Sequence, residues 1–355
     1  MPTECMVING SRDVSATDAA NPSQSFPAGE NPHQLMAEIE ALGGRLTHVR
    51  DRIGRIIFGQ QEVVDLTLIT LLAGGHVLLI GVPGLAKTRL VETLGTVLGL
   101  AEKRIQCTPD LMPADILGSE VLEENEQGRR SFRFIPGPVF SQLLMADEIN
   151  RASPRTQSAL LQAMQERRVS VAGHYHALPQ PFHVLATQNP LEQEGTYPLP
   201  EAQLDRFLME IDVDYPDIDS ERRILFDTTG ADETRAKAAM TSDDLIAAQR
   251  LVRRLPVGES VVEAILALVR SARPGPEAGN LSRAISWGPG PRASQSLMLA
   301  VRARALLDGR FAPSIDDVLE LAEPVLKHRM ALTFAARAEG ETISSVIMQL
   351  KARIG

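Results

Sequence analysis

Gly81-Val82-Pro83-Gly84-Leu85-Ala86-Lys87-Thr88 follows the apolar run His76-Val77-Leu78-Leu79-Ile80 and opens a helical pattern that continues to Leu98. Strand, glycine-bearing loop and helix in that order make an anion site. Small residues let backbone N–H groups converge, and the helix N-terminus adds positive potential. In such a loop Lys87 neutralises the β- and γ-phosphates of a nucleotide, and the Thr88 hydroxyl ligates Mg²⁺. The general pattern G-x-x-x-x-G-K-[ST] has glycine where this chain has Ala86, a departure of one methyl group. A βα turn that binds nothing can carry the same short string, so the surroundings decide.

Downstream, Gln142-Leu143-Leu144-Met145-Ala146 ends in Asp147-Glu148. A wholly apolar run of that length reads as a buried parallel strand, and its carboxyl end is where ligands bind in open α/β sheets. Asp147 is expected to hold Mg²⁺ together with Thr88, and Glu148 to polarise an attacking water. Alone, the two acids would be a helix-start charge pair; beside the glycine loop they complete a site for ATP. Another buried run, Phe182-His183-Val184-Leu185-Ala186-Thr187, ends at Gln188-Asn189-Pro190. Asn189 before a proline is either a turn former or, at the same sheet edge, a hydrogen-bonding group for the γ-phosphate or the water.

The rest of the chain fits a two-part α/β protein. Its 355 residues are enough for a nucleotide-binding domain and a smaller second one. Hydrophobic content of 44% and charged content of 23% are those of a globular chain. A net charge of −9 argues against broad electrostatic binding to nucleic acid or an anionic membrane. Cys5 and Cys107 are the only cysteines, so neither a disulfide framework nor a cysteine metal site is expected, and a reducing cytoplasm fits. The N-terminus lacks the basic start and apolar segment of a secretory signal. The most apolar window, Leu66 to Val82, is broken by Gly74, Gly75 and His76 into a helix end and a strand, not a membrane span.

Residues 1–35 are rich in Ser, Asn, Pro and Ala and are expected to form a disordered tail. From Pro32, Leu35, Ile39, Leu42 and Leu46 recur at helical spacing towards Ile57. Phe58-Gly59-Gln60 interrupts before a second helix, Glu62 to Leu72; this break is either an ordinary turn or a stretch, including Gln60, whose backbone lies beside the adenine. Ser119 to Leu122 and Ser131 to Ile135 flank Glu123-Glu124-Asn125-Glu126-Gln127-Gly128 and predict a hairpin with a charged tip. Ser153-Pro154 marks a helix start, and Val169 to Val171 with His176 to Leu178 predict a second hairpin around Gly173. After a last strand, Leu208 to Val213, the pattern is helical: Ser242 to Leu255, Ser260 to Arg273, Arg292 to Leu307 and Ser314 to His328. Trp287-Gly288-Pro289-Gly290-Pro291 presents Arg292 at a helix start.

Taken together, Gly81 to Thr88, Leu144 to Asn150, Ala186 to Pro190, Leu204 to Phe207 and Pro289 to Ala293 resemble the MoxR family of AAA+ ATPases over about residues 36–355. Alanine at position 86 is familiar in that family, the hairpin around Glu123 looks like the insertion that marks its branch, and the Val169 hairpin resembles the one before the sensor strand. The resemblance implies a P-loop AAA+ core with a central parallel sheet flanked by helices (36–230) and an all-α lid (241–355). It further implies that Asn189 is the polar sensor, Arg206 an arginine finger reaching a neighbour's nucleotide, and Arg292 the lid's sensor arginine, acting in its own or a neighbour's site. Arg151, just after the acidic pair, is a candidate for a further arginine acting across the subunit boundary, or a solvated surface charge.

The implied cofactors are ATP and Mg²⁺, and the implied assembly is a homo-oligomeric ring, a hexamer in similar proteins. The implied work is chaperone-like remodelling of a client complex, with a von Willebrand factor A domain protein as partner. Two relatives of the fold offer alternatives: the ATPase subunit of a metal chelatase, and a nucleic-acid motor, against which the acidic balance speaks.

Overall fold

The computed structural model of the chain describes residues 32–124, 130–192, 194–229 and 236–354. Helix α1 (Pro32–Gly54) buries Leu35, Ile39, Leu42, Leu46, Val49 and Ile53, a stripe with alternating steps of three and four. Residues 32–35, assigned to the tail by composition, belong to this helix, because Leu35 begins that stripe. The remainder of the expected tail lies outside the described residues. There follow α2 (Gln61–Leu72), β1 (Val77–Ile80), α3 (Lys87–Leu98), β2 (Glu102–Gln106), α4 (Pro113–Leu117), β3 (Gly118–Glu124), β4 (Arg130–Pro136) and β5 (Leu143–Asp147). Then come α5 (Pro154–Glu166), β6 (Arg168–Val171), β7 (His174–Ala177), β8 (His183–Gln188), α6 (Glu201–Leu204), β9 (Met209–Asp212) and α7 (Ile218–Thr229).

Five strands pair in parallel in the order β2-β5-β8-β1-β9. The inner strands carry apolar runs, Val77–Ile80, Leu143–Ala146 and Val184–Ala186, because both faces are covered. Val77, Leu79, Leu143, Met145 and Leu185 face a cluster with α1, α2 and α3, whereas Leu78, Leu144, Ala146, Val184 and Ala186 face Leu160, Leu161 and Met164 of α5. Strand β2 is an edge, and of its five residues only Ile105 is buried, so its sequence Glu-Lys-Arg-Ile-Gln shows no apolar run.

Both predicted hairpins form, as β3–β4 and β6–β7. The tip residues Asn125 to Gly128 lie outside the described residues. Phe134 of β4 stacks on His176 of β7 with ring centroids 3.9 Å apart, fastening one hairpin to the other. Helix α5 starts where Ser153-Pro154 places it, with the Ser153 hydroxyl accepting the Thr156 N–H.

The C-terminal part is helical, with α8 (Ser242–Arg254), α9 (Glu259–Ser271), α10 (Pro291–Leu307), α11 (Ile315–Leu326), α12 (Phe334–Ala338) and α13 (Ile343–Lys351). One departure from the all-helical expectation is a short antiparallel pair, β10 (Ile285–Trp287) with β11 (Ala331–Leu332). Thr241 and Ser314 open α8 and α11 as capping boxes with Asp244 and Asp317. The buried residues of these helices are continuous with those of α1, α2 and α3, so the lid is seated on one face of the sheet's helical layer. Among the described residues no helix is long and apolar enough to cross a membrane.

Candidate active site

Because β8 lies between β1 and β5, the carboxyl ends of these three strands are adjacent. They bound a cavity of 500 Å³ lined by Pro83, Gly84, Leu85, Ala86, Lys87 and Thr88, by Arg89, by Asp147 and Glu148, by Thr187 and Asn189, and by Arg104 and Gln106 of β2.

The loop's shape comes from its small residues. A Cβ at Gly81 would lie 2.6 Å from the Val213 carbonyl oxygen, so glycine alone fits between the ends of β1 and β9. Ala86 has φ 55, in the left-handed region, so the family pattern's glycine falls where the backbone wants one. Lys87 opens α3 and donates through Nζ to the carbonyls of Gly81 and, at 2.9 Å, Val82. Burial lowers its pKa, while Asp147 and Glu148 pull it back up, so the acids help keep the cation charged.

The acidic pair is tied together by a residue absent from the expected site. Thr187 Oγ1 donates to Asp147 Oδ1 at 2.5 Å and accepts the Glu148 N–H at 2.9 Å. Asp147 Oδ2 accepts from Arg104 Nη2 at 2.6 Å. Glu148, itself at φ 53, accepts at Oε2 from Gln106 Nε2 at 2.8 Å and from Arg151 Nη1 at 3.3 Å. Asn189 is buried, and its Oδ1 accepts the Leu191 N–H at 3.1 Å; this is the Asx turn its place before Pro190 suggests, and it leaves the Nδ2 group as donor.

Thr88 and Asp147 line the same cavity and offer hard oxygen donors. Mg²⁺ is commonly held by one or two protein groups together with substrate phosphates. Among the described residues no group of three or more His, Cys, Asp or Glu side chains forms a metal cage. The donor set therefore fits a nucleotide-borne Mg²⁺.

Four expected site residues stand elsewhere. Gln60 does not line the cavity, and its Nε2 donates to the Asp214 carbonyl at 2.6 Å, so its side chain braces the chain after β9. Arg151 bridges Glu148 and, at 3.7 Å, Glu192 within its own chain. Arg206 and Arg292 lie outside the cavity but near each other, and Arg292 Nη1 is 3.3 Å from Asp205 Oδ2. Burial lowers the Arg206 pKa, the nearby Arg292 charge lowers it further, and Glu166 opposes both.

Arg104, Gln106 and Thr187 escaped the sequence reading. Thr187 had a signal, the one hydroxyl of the strand, directly after the apolar run Val184–Ala186; Arg104 and Gln106 flank the single inward residue of a polar edge strand. A larger hollow of 680 Å³, between α2, β9 and α11, contains no residue of the Gly81–Thr88 loop and is lined by seven carboxylates against three cations. Its charge repels polyphosphate, whereas Lys87, Arg89 and Arg104 attract it to the strand ends.

The model of the family described as ATPase family associated with various cellular activities (AAA) matches residues 76–209, and that of the AAA lid domain matches residues 278–350. The chain is 43% identical over 324 residues to Chaperone MoxR1 of Mycobacterium tuberculosis, covering 90% of this chain and 83% of that protein. It is 34% identical over 306 residues to Protein MoxR of Paracoccus denitrificans, covering 81% and 89%. A crystal structure of a candidate ATPase from Cytophaga hutchinsonii ATCC 33406 matches with a TM-score of 0.84 and 35% identity over 91% of this chain and 98% of that one. Likeness of this extent runs through the nucleotide loop, the acidic pair and the lid alike, and the chain belongs to the MoxR family of AAA+ ATPases.

Proposed function

We propose that this ATPase hydrolyses Mg²⁺-bound ATP in the cavity at the sheet's carboxyl edge and does so in a ring, a hexamer by resemblance, whose neighbours complete each other's sites. The cycle drives chaperone-like remodelling or maturation of a client protein complex in the cytoplasm, together with a von Willebrand factor A domain partner; nucleic acid is not the substrate. Residues 36–230 serve as the nucleotide-binding core and 241–355 as its lid.

The observation that carries this reading is the division of the charged groups. Lys87, Thr88, Asp147, Glu148 and Asn189 converge on one cavity, while Arg206 and Arg292 stand together outside it. The backbone of Gly81 to Thr88 and the Lys87 ammonium would hold the β- and γ-phosphates. Thr88 and Asp147 would hold Mg²⁺, which when bound offsets phosphate charge. Glu148 Oε2, set by Gln106 and Arg151, is the base for the attacking water, and the Asn189 amide donates to the water or the γ-phosphate. Arg206, presented from the segment between α6 and β9, reaches the next subunit, with Arg292 beside it. A finger supplied in trans is worth about 10³ to 10⁵ in kcat. The β3–β4 and β6–β7 hairpins, which expose Phe132 and Tyr175, are where a client would be met.

Mixing variants tests the shared site. Arg206→Ala subunits keep an intact cavity, and Lys87→Ala subunits keep an intact finger. Neither should turn over alone, and rings shown by light scattering to contain both should regain activity. Mixed rings without activity would contradict the reading.

A further inference from the structure

Arg329 is among the largest fully buried side chains, 1% exposed, at the end of the 3-10 turn Lys327–Arg329 that follows α11. Its Nε donates to Asp205 Oδ1 at 2.7 Å, and its Nη2 donates to the carbonyls of Asp205 at 3.2 Å and Phe207 at 2.6 Å. Nη2 also reaches Ser296 Oγ at 3.3 Å, while Nη1 donates to the carbonyls of Leu208, at 3.1 Å, and Val325. Neighbouring His328 adds a bond from Nε2 to the Phe207 carbonyl at 3.2 Å. The lid thus grips the main chain on both sides of Arg206, and none of these bonds uses the Arg206 side chain.

Burying a cation is costly unless its hydrogen bonds are met, and apolar packing would seat the lid as well or better. What an arginine adds is a planar fork that holds several acceptors at set angles. Besides Ser296 and Val325 of the lid itself, the acceptors are the Asp205 carboxylate, which Arg292 also contacts, and the carbonyls of the segment carrying the finger. We propose that Arg329 is a positioning residue that fixes the aim of Arg206 from the lid, so that the finger a subunit offers its neighbour depends on how its own lid is seated. The inference rests on Arg206 serving a neighbouring site. Misplacing a group by about 1 Å through a distant change costs about 10²-fold in rate.

Arg329→Lys keeps the charge but gathers three donors on one atom, so it cannot hold the Asp205 carboxylate and the carbonyls of Asp205, Phe207 and Leu208 together as the fork does. Binding of a fluorescent ATP analogue should stay within about twofold, and turnover should fall about 10²-fold. Mixing with Lys87→Ala subunits, whose finger is well placed, should restore activity; mixing with Arg206→Ala subunits should not. Wild-type turnover, loss of ATP binding by the folded variant, or rescue by Arg206→Ala subunits would overturn the positioning role. Should Arg329→Lys fail to fold, Asp205→Asn carries the same expected pattern and the same overturning results. The Arg206→Ala and Lys87→Ala mixture, run alongside, separates the two ideas. If it stays inactive, the shared site fails and the positioning role falls with it; if it regains activity while Arg329→Lys with Lys87→Ala does not, the positioning role alone is overturned.

Discussion

At the Ala86 Cα the chain keeps a left-handed backbone, φ 55, in spite of a methyl group. That conformation costs about 1–2 kcal/mol for an L-residue, and glycine returns about 0.5–1 kcal/mol of that as extra freedom in the unfolded chain. Ala86→Gly should therefore stabilise the protein by up to about 1 kcal/mol in a denaturant titration; a clear loss of stability would mean the methyl packs usefully. Thr187→Val keeps the shape but leaves the Glu148 N–H and Asp147 Oδ1 without their shared partner. An orphaned buried donor costs about 1–3 kcal/mol, and turnover should drop tenfold or more while ATP affinity changes little. Unchanged turnover in a steady-state assay would show that the hydroxyl does not set the acids. Asp147→Asn should weaken ATP binding more with Mg²⁺ than without it, and equal losses in both conditions would count against its metal role. The acids and the lysine were legible because each sits at a short motif; Thr187 was not, because its role depends on β8 lying beside β5, which only strand order reveals.

Among elements, long apolar or amphipathic patterns were readable and short or polar ones were not. The inner strands and α1 announce themselves through burial on defined faces, whereas β2 hides because an edge strand needs only Ile105 inside. The β10–β11 pair and the short α12 lack enough residues to show a period. The amino ends of β1 and β8 carry a buried pair, His76 and His183. His76 Nδ1 accepts the Val184 N–H at 2.9 Å, and His183 Nδ1 donates to the Gly75 carbonyl at 2.7 Å while Nε2 meets Gln249 of α8 at 3.0 Å. Burial, reinforced for His76 by the neighbouring His183, pushes their pKa values down to about 3 and about 4. The unfolded chain takes up protons near pH 6.5, before the folded one does, so stability rises with pH across this window. It is fully present above about pH 6.5 and is lost as pH falls towards 4 and then 3. Thermal midpoints measured from pH 7 to pH 4 should fall, and His183→Gln should flatten the slope; an unaltered slope would show that this histidine does not titrate on unfolding.

Over the whole molecule, the cavity was legible and its surroundings were not. The nucleotide loop is local in sequence, but the cluster around Arg206 joins residues 87 and 124 positions apart, Arg292 and Arg329 to Asp205, and no motif spans such distances. If neighbours complete one another's sites, activity per subunit should rise with protein concentration, and concentration-independent turnover would speak for a self-sufficient monomer. Titrating Lys87→Ala and Glu148→Gln with a fluorescent ATP analogue in Mg²⁺, with turnover read on the same samples, tests most directly whether the strand-end cavity binds and hydrolyses ATP. The lysine variant should lose binding, while the glutamate variant should bind as tightly as wild type and cease to turn over. Tight binding by Lys87→Ala, or continued hydrolysis by Glu148→Gln, would contradict that assignment.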